Sequence, residues 1–244
     1  MSEGAVTLVF RDDAYARSVE AAVRAVTEKG IVLDRTVFYP MGGGQPGDTG
    51  VLRTPDGTLT RIIDTRKGAG LDDVVHVPEA GAPLPAPGTR VAATIDWERR
   101  HRLMRMHSCL HVLCALIDAP VTGGQVGEDR GRLDFDLPEA TLDKEDLTAR
   151  LNALIAADSP LSARWITDAE LAAQPELVRT MSVKPPLGTG RVRLMEIAGV
   201  DVQPCGGTHI RSTGEIGAVE VVKIEKKGRQ NRRVIVAFRG GAGA

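Results

Sequence analysis

The chain has 244 residues, 31 Lys and Arg against 32 Asp and Glu, and a formal net charge of -1, so no global charge signature marks a nucleic-acid binder. Hydrophobic residues at 42% allow a buried core, while aromatics at 3% are too scarce for a base-stacking surface. No apolar run reaches the roughly 18 residues of a membrane span, the start lacks a secretory pattern, and three cysteines are too few for a disulfide framework. A soluble cytoplasmic protein with free thiols is expected.

In chain order, residues 6–10, 30–33, 50–53 and 59–63 read as short strands divided by turn residues, the last following Pro55-Asp56-Gly57. That density points to a small β-barrel or sandwich. Residues 13–29 fit a helix through Val19, Ala22, Val23 and Val26, and equally a strand through Val19, Ala21 and Val23. The stretch 38–50, with Gly42, Gly43 and Gly44, lacks both the phosphate-loop and the dinucleotide-binding spacing. It reads either as a tight connection between strands or as a loop whose N–H groups approach a ligand. A proline- and glycine-rich seam runs over 78–88. Beyond it, 90–95 reads as a strand and Asp96 stands where a helix N-cap belongs. Leu103, Met106, Leu110, Leu113 and Ile117 carry a helical period up to Pro120. A second helix is predicted over 142–158, and strands over 192–197, 217–224 and 232–238. The fold class is therefore α+β, a β domain followed by a mixed one.

Two pairs of residues carry metal chemistry. His107 and His111 stand at i and i+4, about 40° apart on a helix, close enough to share an ion. Cys205 and His209 bracket Gly206-Gly207-Thr208, where the paired glycines let the backbone turn tightly. Imidazole with thiolate is the donor set zinc prefers. Cys114, three residues past His111, is a rival ligand, whereas Cys109 points away from the histidines and reads as packing. Ser108 occupies the place of the general base in a His-Glu-x-x-His protease, which excludes that class. Spacing alone leaves open whether the metal is structural or catalytic. Basic residues also cluster, with Arg99, Arg100, Arg102 and Arg105 before the histidine pair, and Lys223, Lys226, Lys227, Arg229, Arg232 and Arg233 around the last hairpin. Such local patches bind phosphates even in a neutral chain.

Taken together, residues 33–40, 42–48, 107–111, 131–136 and 201–209 resemble the freestanding alanyl-tRNA editing proteins and the editing domain of alanyl-tRNA synthetase. Cys205-Gly206-Gly207-Thr208-His209 is the most specific part. The resemblance implies a β-barrel over 1–95 carrying the glycine loop, which in longer family members borders the editing cleft. It implies a two-layer α/β editing domain over 96–244, shared with threonyl-tRNA synthetase. It further implies zinc held by His107, His111, Cys205 and His209, and hydrolysis in trans of mischarged tRNA(Ala), Ser-tRNA(Ala) first. No DNA and no membrane partner is expected. Thr208 and Gln125 are candidate catalytic contacts; Gly42, Gly43, Gly44, Gln45, Arg99, Arg102, Arg105, Lys226 and Lys227 are candidate substrate contacts. The rival readings are a zinc-stabilised RNA-binding module without catalysis, and editing of a tRNA bearing glycine or threonine.

Overall fold

The computed structural model describes residues 6–70, 72–138, 142–180 and 190–240. The chain divides into two compact units between His101 and Arg102. Unit 1 opens with β1 (Thr7–Leu8), a single helical turn α1 (Val9–Asp12), β2 (Ser18–Thr27), β3 (Gly30–Leu33) and β4 (Arg35–Thr36). It continues through β5 (Gly50–Arg53), β6 (Leu59–Lys67), β7 (Val74–Pro78) and β8 (Arg90–Ile95) into the long helix α2 (Trp97–Leu116). Strands close into a barrel in the order β2-β3-β7-β6-β5-β8, which leaves no free edge. Alternate residues point inward, so Ala21, Val23, Ile31, Leu33, Leu52, Ile62, Val91, Ala93 and Ile95 form one core with Val37 and Phe38. Register shifts at Val23/Ala25 and Ile62/Asp64 are bulges, the device that bends a strand enough to close a small barrel.

The ambiguous segment is thus a strand, paired on one side with β3 and on the other with β8. Residues 6–10 depart from the expectation. Only Thr7 and Leu8 are extended, pairing in parallel with β4. The chain then turns helically, and Phe10 packs edge-on against Tyr39, ring centroids 5.5 Å apart, in a small cluster with Val6, Leu8 and Val74. Tertiary packing here overrides an alternating pattern. The seam over 78–88 joins β7 to β8 inside unit 1.

Asp96 caps α2, its Oδ1 accepting from the Arg99 N–H at 3.2 Å. The first turn of that helix belongs to unit 1 for a specific reason. Arg100 is buried, its Nε donates to both carboxylate oxygens of Asp48 at 2.9 Å, and its other nitrogens reach the carbonyls of Val37 and Ala14. Arg100 is therefore corrected from a surface cation to a core ion pair. Such a pair is costly to desolvate and costly to break.

Unit 2 contains β9 (Val121–Gln125), β10 (Arg130–Asp136), α3 (Lys144–Ala156), β11 (Leu161–Thr167), α4 (Asp168–Ala172), β12 (Arg191–Ile197), β13 (Asp201–Pro204), β14 (Val219–Lys227) and β15 (Asn231–Phe238). One antiparallel sheet runs β14-β15-β10-β9 and another β11-β12-β13. Helix α3 covers the exposed edge of the first. Asn152 pairs with both the N–H and the carbonyl of Val219, and Thr148 Oγ1 accepts from the Val221 N–H at 3.0 Å. Side chains thus satisfy the backbone groups an edge strand leaves open. Both units together give an α+β protein. Among the described residues no helix is long and apolar enough to cross a membrane.

Candidate metal centre

From Leu103 to Cys114, helix α2 is buried at every position except Arg105, so it is a central helix and not an amphipathic one. A close approach fixes it to the sheet: a Cβ on Gly131 of β10 would stand 2.9 Å from Met106, next to the first histidine. His107 and His111 lie one turn apart on this helix, and Cys205 and His209 come from the loop after β13. One ligand atom from each lies within 4.8 Å of all the others. Cys205 Sγ is 3.5 Å from His107 Nε2 and 3.2 Å from His209 Nε2. Among the described residues this cluster does not include Cys114 or Cys109. Cys109 is fully buried and its thiol is pushed up to about 12 by burial, which leaves it inert.

The ring nitrogens facing away from the cluster are held as a metal site requires. His111 Nδ1 lies 3.2 Å from Asp201 Oδ2, and Gln203 Nε2 donates to that same oxygen at 2.6 Å. His209 Nδ1 lies 3.1 Å from Ser108 Oγ. The carboxylate behind His111 accepts from Nδ1–H and leaves Nε2 to face the cluster, while the hydroxyl behind His209 orients that ring. Asp201, Gln203 and Cys205 alternate along β13 and its extension, so all three share one face. Burial by itself would push the Cys205 thiol up, but the facing His107 and His209 rings outweigh it and hold the thiol well below its ordinary range. The Gly207 N–H also points at Sγ, 3.4 Å away. A thiolate among three imidazoles, two of them with an outer partner, fits a borderline-soft divalent ion such as zinc. The donor set passes that test.

The metal loop is anchored from the neighbouring strand. Arg193 NH1 donates to the carbonyls of Cys205 at 3.0 Å and Gly207 at 3.1 Å, and Cys205 N–H continues the ladder to the Arg193 carbonyl. Gly206 and Gly207 are not left-handed, and a Cβ at Gly206 would meet nothing within 4 Å. The arginine clamp holds the carbonyls on either side of Gly206.

Comparison with known proteins bears on this site directly. Residues 192–235 match the family described as the threonyl and alanyl tRNA synthetase second additional domain, and residues 2–99 match class II (A) tRNA synthetases. The alanyl-tRNA editing protein AlaX-M of Methanosarcina barkeri is 39% identical over 232 residues, covering 91% of this chain and 94% of that protein. Its namesake in Saccharolobus solfataricus is 31% identical over 230 residues, covering 93% and 96%. The chain belongs to the alanyl-tRNA editing protein family. The alanine–tRNA ligase of Pyrobaculum neutrophilum is 36% identical over 232 residues, 89% of this chain but 25% of that enzyme. The second-additional-domain match runs from β12 into β15 and so takes in Cys205 and His209.

In this editing-family chain the other candidate residues occupy varied settings. Thr208 is fully buried between Gly207 and His209, whereas Gln125 is exposed at the end of β9, its Oε1 accepting from Arg132 Nε at 3.3 Å. Gly43 and Gly44, at φ 58° and 83°, are the two central residues of a tight turn closed by reciprocal Gly42 and Gln45 backbone bonds. Two left-handed residues in succession make glycine the natural choice there. The turn uses the N–H groups of Gly42 and Gln45, and Gln45 is fully buried. Arg99 NH1 donates to the Gly47 carbonyl, Arg105 donates to the Ile216 carbonyl and stacks over Phe238, and Arg102 is exposed beside Asp129. In the last hairpin Arg233 is bidentate to Asp134, and Arg232 is buried against the Pro138 carbonyl. Those two are corrected from surface cations to structural ones. Lys226 and Lys227 remain exposed, with Lys227 3.4 Å from Glu225. Asp201 and the positioning role of Ser108 were not anticipated from sequence. The signal for Asp201 was available, since a strand alternating Asp, Gln and Cys on one face places polar groups where a core strand has apolar ones.

Proposed function

We propose that this chain is a zinc-dependent hydrolase that acts in trans on mischarged tRNA(Ala), with Ser-tRNA(Ala) as its principal substrate. The observation that carries the reading is the buried His107, His111, Cys205 and His209 cluster, in a chain whose relatives are named alanyl-tRNA editing proteins. In this reading unit 2 is the two-layer editing domain, and the cytoplasm, where aminoacyl-tRNA is consumed, is the compartment required.

The chemistry has a physical rationale. An alanine pocket rejects serine weakly, because an added hydroxyl costs an apolar site little. A second site that hydrogen-bonds that hydroxyl rejects alanine by roughly four to five orders of magnitude in favourable cases. When bound, zinc supplies Lewis acidity for ester hydrolysis at neutral pH. The protein's own groups prepare the site. Asp201 accepts a hydrogen bond from His111 Nδ1, Ser108 Oγ lies against His209 Nδ1 and orients its ring, and Arg193 holds the Cys205 to Gly207 backbone in place. Thr208, which lies in sequence between the donors Cys205 and His209, is the candidate hydroxyl-reading side chain, and Gln125 and the 42–45 turn are further candidates.

Deacylation of Ser-tRNA(Ala), Gly-tRNA(Ala) and Ala-tRNA(Ala), each with and without chelator, tests the reading. Serine release that stops on chelation and returns with zinc is expected, with alanine spared. RNA binding without release of any amino acid would leave a zinc-stabilised binding module instead. Cys205→Ala should abolish metal uptake and hydrolysis, while Cys114→Ala keeps both; the reverse pattern would reject the ligand assignment.

A further inference from the structure

The three-stranded sheet of unit 2 has two unlike faces. Ile166, Val192 and Leu194 point to one side and pack with Leu171 into an apolar cluster. The opposite face carries the metal loop. Trp165 pairs directly with Arg193, and Arg193 in turn pairs with Cys205 through the Cys205 N–H. Trp165, Arg193 and Cys205 therefore form one rung across three strands, with side chains on the same face. Two strand spacings, about 10 Å, separate the ends of that rung. At its outer end Trp165 is 41% exposed, and the Arg191 guanidinium lies 4.5 Å from its ring centroid.

A large exposed aromatic needs a reason in a chain with two tryptophans. Its neighbours along β11, Ser162, Ala163, Arg164 and Thr167, are exposed and small or polar. That is not the contiguous apolar patch by which a protein partner or second copy would dock. An isolated aromatic face stacked with a guanidinium suits a flat, anionic occupant, namely a nucleotide. Bases stack on the ring, and the arginine meets the phosphate.

Resting on the editing reading above, we propose that Trp165 and Arg191 form the platform on which the unpaired 3′-terminal base of the tRNA acceptor end stacks. The rung then leads from that base toward the cluster, where the ester on the same nucleotide's ribose is cleaved. The low aromatic content excludes an extended stacking surface but not one that holds a single base.

Two measurements decide the proposal. In a Trp97→Phe protein, Trp165 is the sole tryptophan, and its fluorescence is expected to be quenched by an acceptor-stem RNA ending in CCA but not by the same RNA lacking the terminal adenosine. For the otherwise native chain, Trp165→Ala should raise KM for Ser-tRNA(Ala) by between about 5-fold and 150-fold with kcat little changed, and Trp165→Phe should restore most of it. Unchanged KM in Trp165→Ala, or quenching indifferent to the terminal adenosine, would overturn the proposal. So would a Trp165→Ala protein that changes oligomeric state while binding RNA normally, since the face would then serve self-association. A protein that releases no amino acid from any tRNA refutes the editing reading instead, and the fluorescence titration still decides the stacking.

Discussion

At the scale of single residues, the metal cluster depends on side chains that touch no metal. Asp201 is buried, bonded to His111 Nδ1 and braced by Gln203, so it fixes which nitrogen of His111 faces the cluster. Loss of such an outer partner typically weakens metal binding 10- to 100-fold. Asp201→Asn keeps the volume and removes the charge, and its zinc affinity, read by competition with a chromophoric chelator, should fall by about that factor. Unchanged affinity in a variant with a native circular dichroism spectrum would remove Asp201 from the site. The four clustered residues were legible as residue types and spacings, and helix geometry alone brings His107 and His111, at i and i+4, together. Their outer partners were not, because nothing local joins residue 108 to residue 209. The same holds for Arg100. Its charge marked it as a surface cation, and only the fold shows it closed onto Asp48.

At the scale of elements, the barrel contains a buried titratable group unrelated to the metal. His76 of β7 is fully buried, with Nδ1 3.0 Å from the Ile31 carbonyl and Nε2 2.8 Å from Thr36 Oγ1. A neutral ring protonated at Nδ1 satisfies both partners, donating to the carbonyl and accepting from the hydroxyl. Burial, only partly opposed by the Ile31 bond, lowers its pKa from 6.5 to about 4. The unfolded chain therefore takes up a proton between those values that the folded barrel refuses. Stability from this group is complete above pH 6.5 and is lost as pH falls through about 4, by about 3 kcal/mol in all. Urea unfolding at pH 7 and pH 4.5 should show a smaller drop for His76→Gln than for the native chain. Equal drops would refute the assignment. Strands such as β3 and β5 were readable because turn residues bracket them. β7 and β11 were missed, since their positions follow from the partners that flank them and not from local alternation.

At the scale of the whole molecule, a metal held by the cluster would tie two segments of unit 2 that lie 98 residues apart from His107 to Cys205. An ion that binds only the folded state adds about 3 to 4 kcal/mol at free concentrations 100 to 1,000 times its dissociation constant. Chelation should therefore lower the hydrogen-exchange protection of β12 and β13 amides while β2 and β8 amides in the barrel keep theirs. Equal loss in both units would show that the metal does not stabilise unit 2 selectively. Several arginines in the two basic clusters turn out to be spent on internal partners, leaving Arg102, Lys223, Lys226, Lys227 and Arg229 exposed among them. Charge runs in sequence count cations but cannot say which of them the fold neutralises. What the sequence determined by itself was what local chemistry determines: the ligand types and their helical spacing, the strand-rich first half, and the Cys-Gly-Gly-Thr-His element that carries the family resemblance. The tertiary structure decided everything that depends on distant residues meeting. It brought the two ligand pairs within 4.8 Å, set Asp201 and Ser108 behind them, and aligned Trp165 on the rung of Cys205. Those contacts come from strand register and long-range packing, which no local pattern encodes.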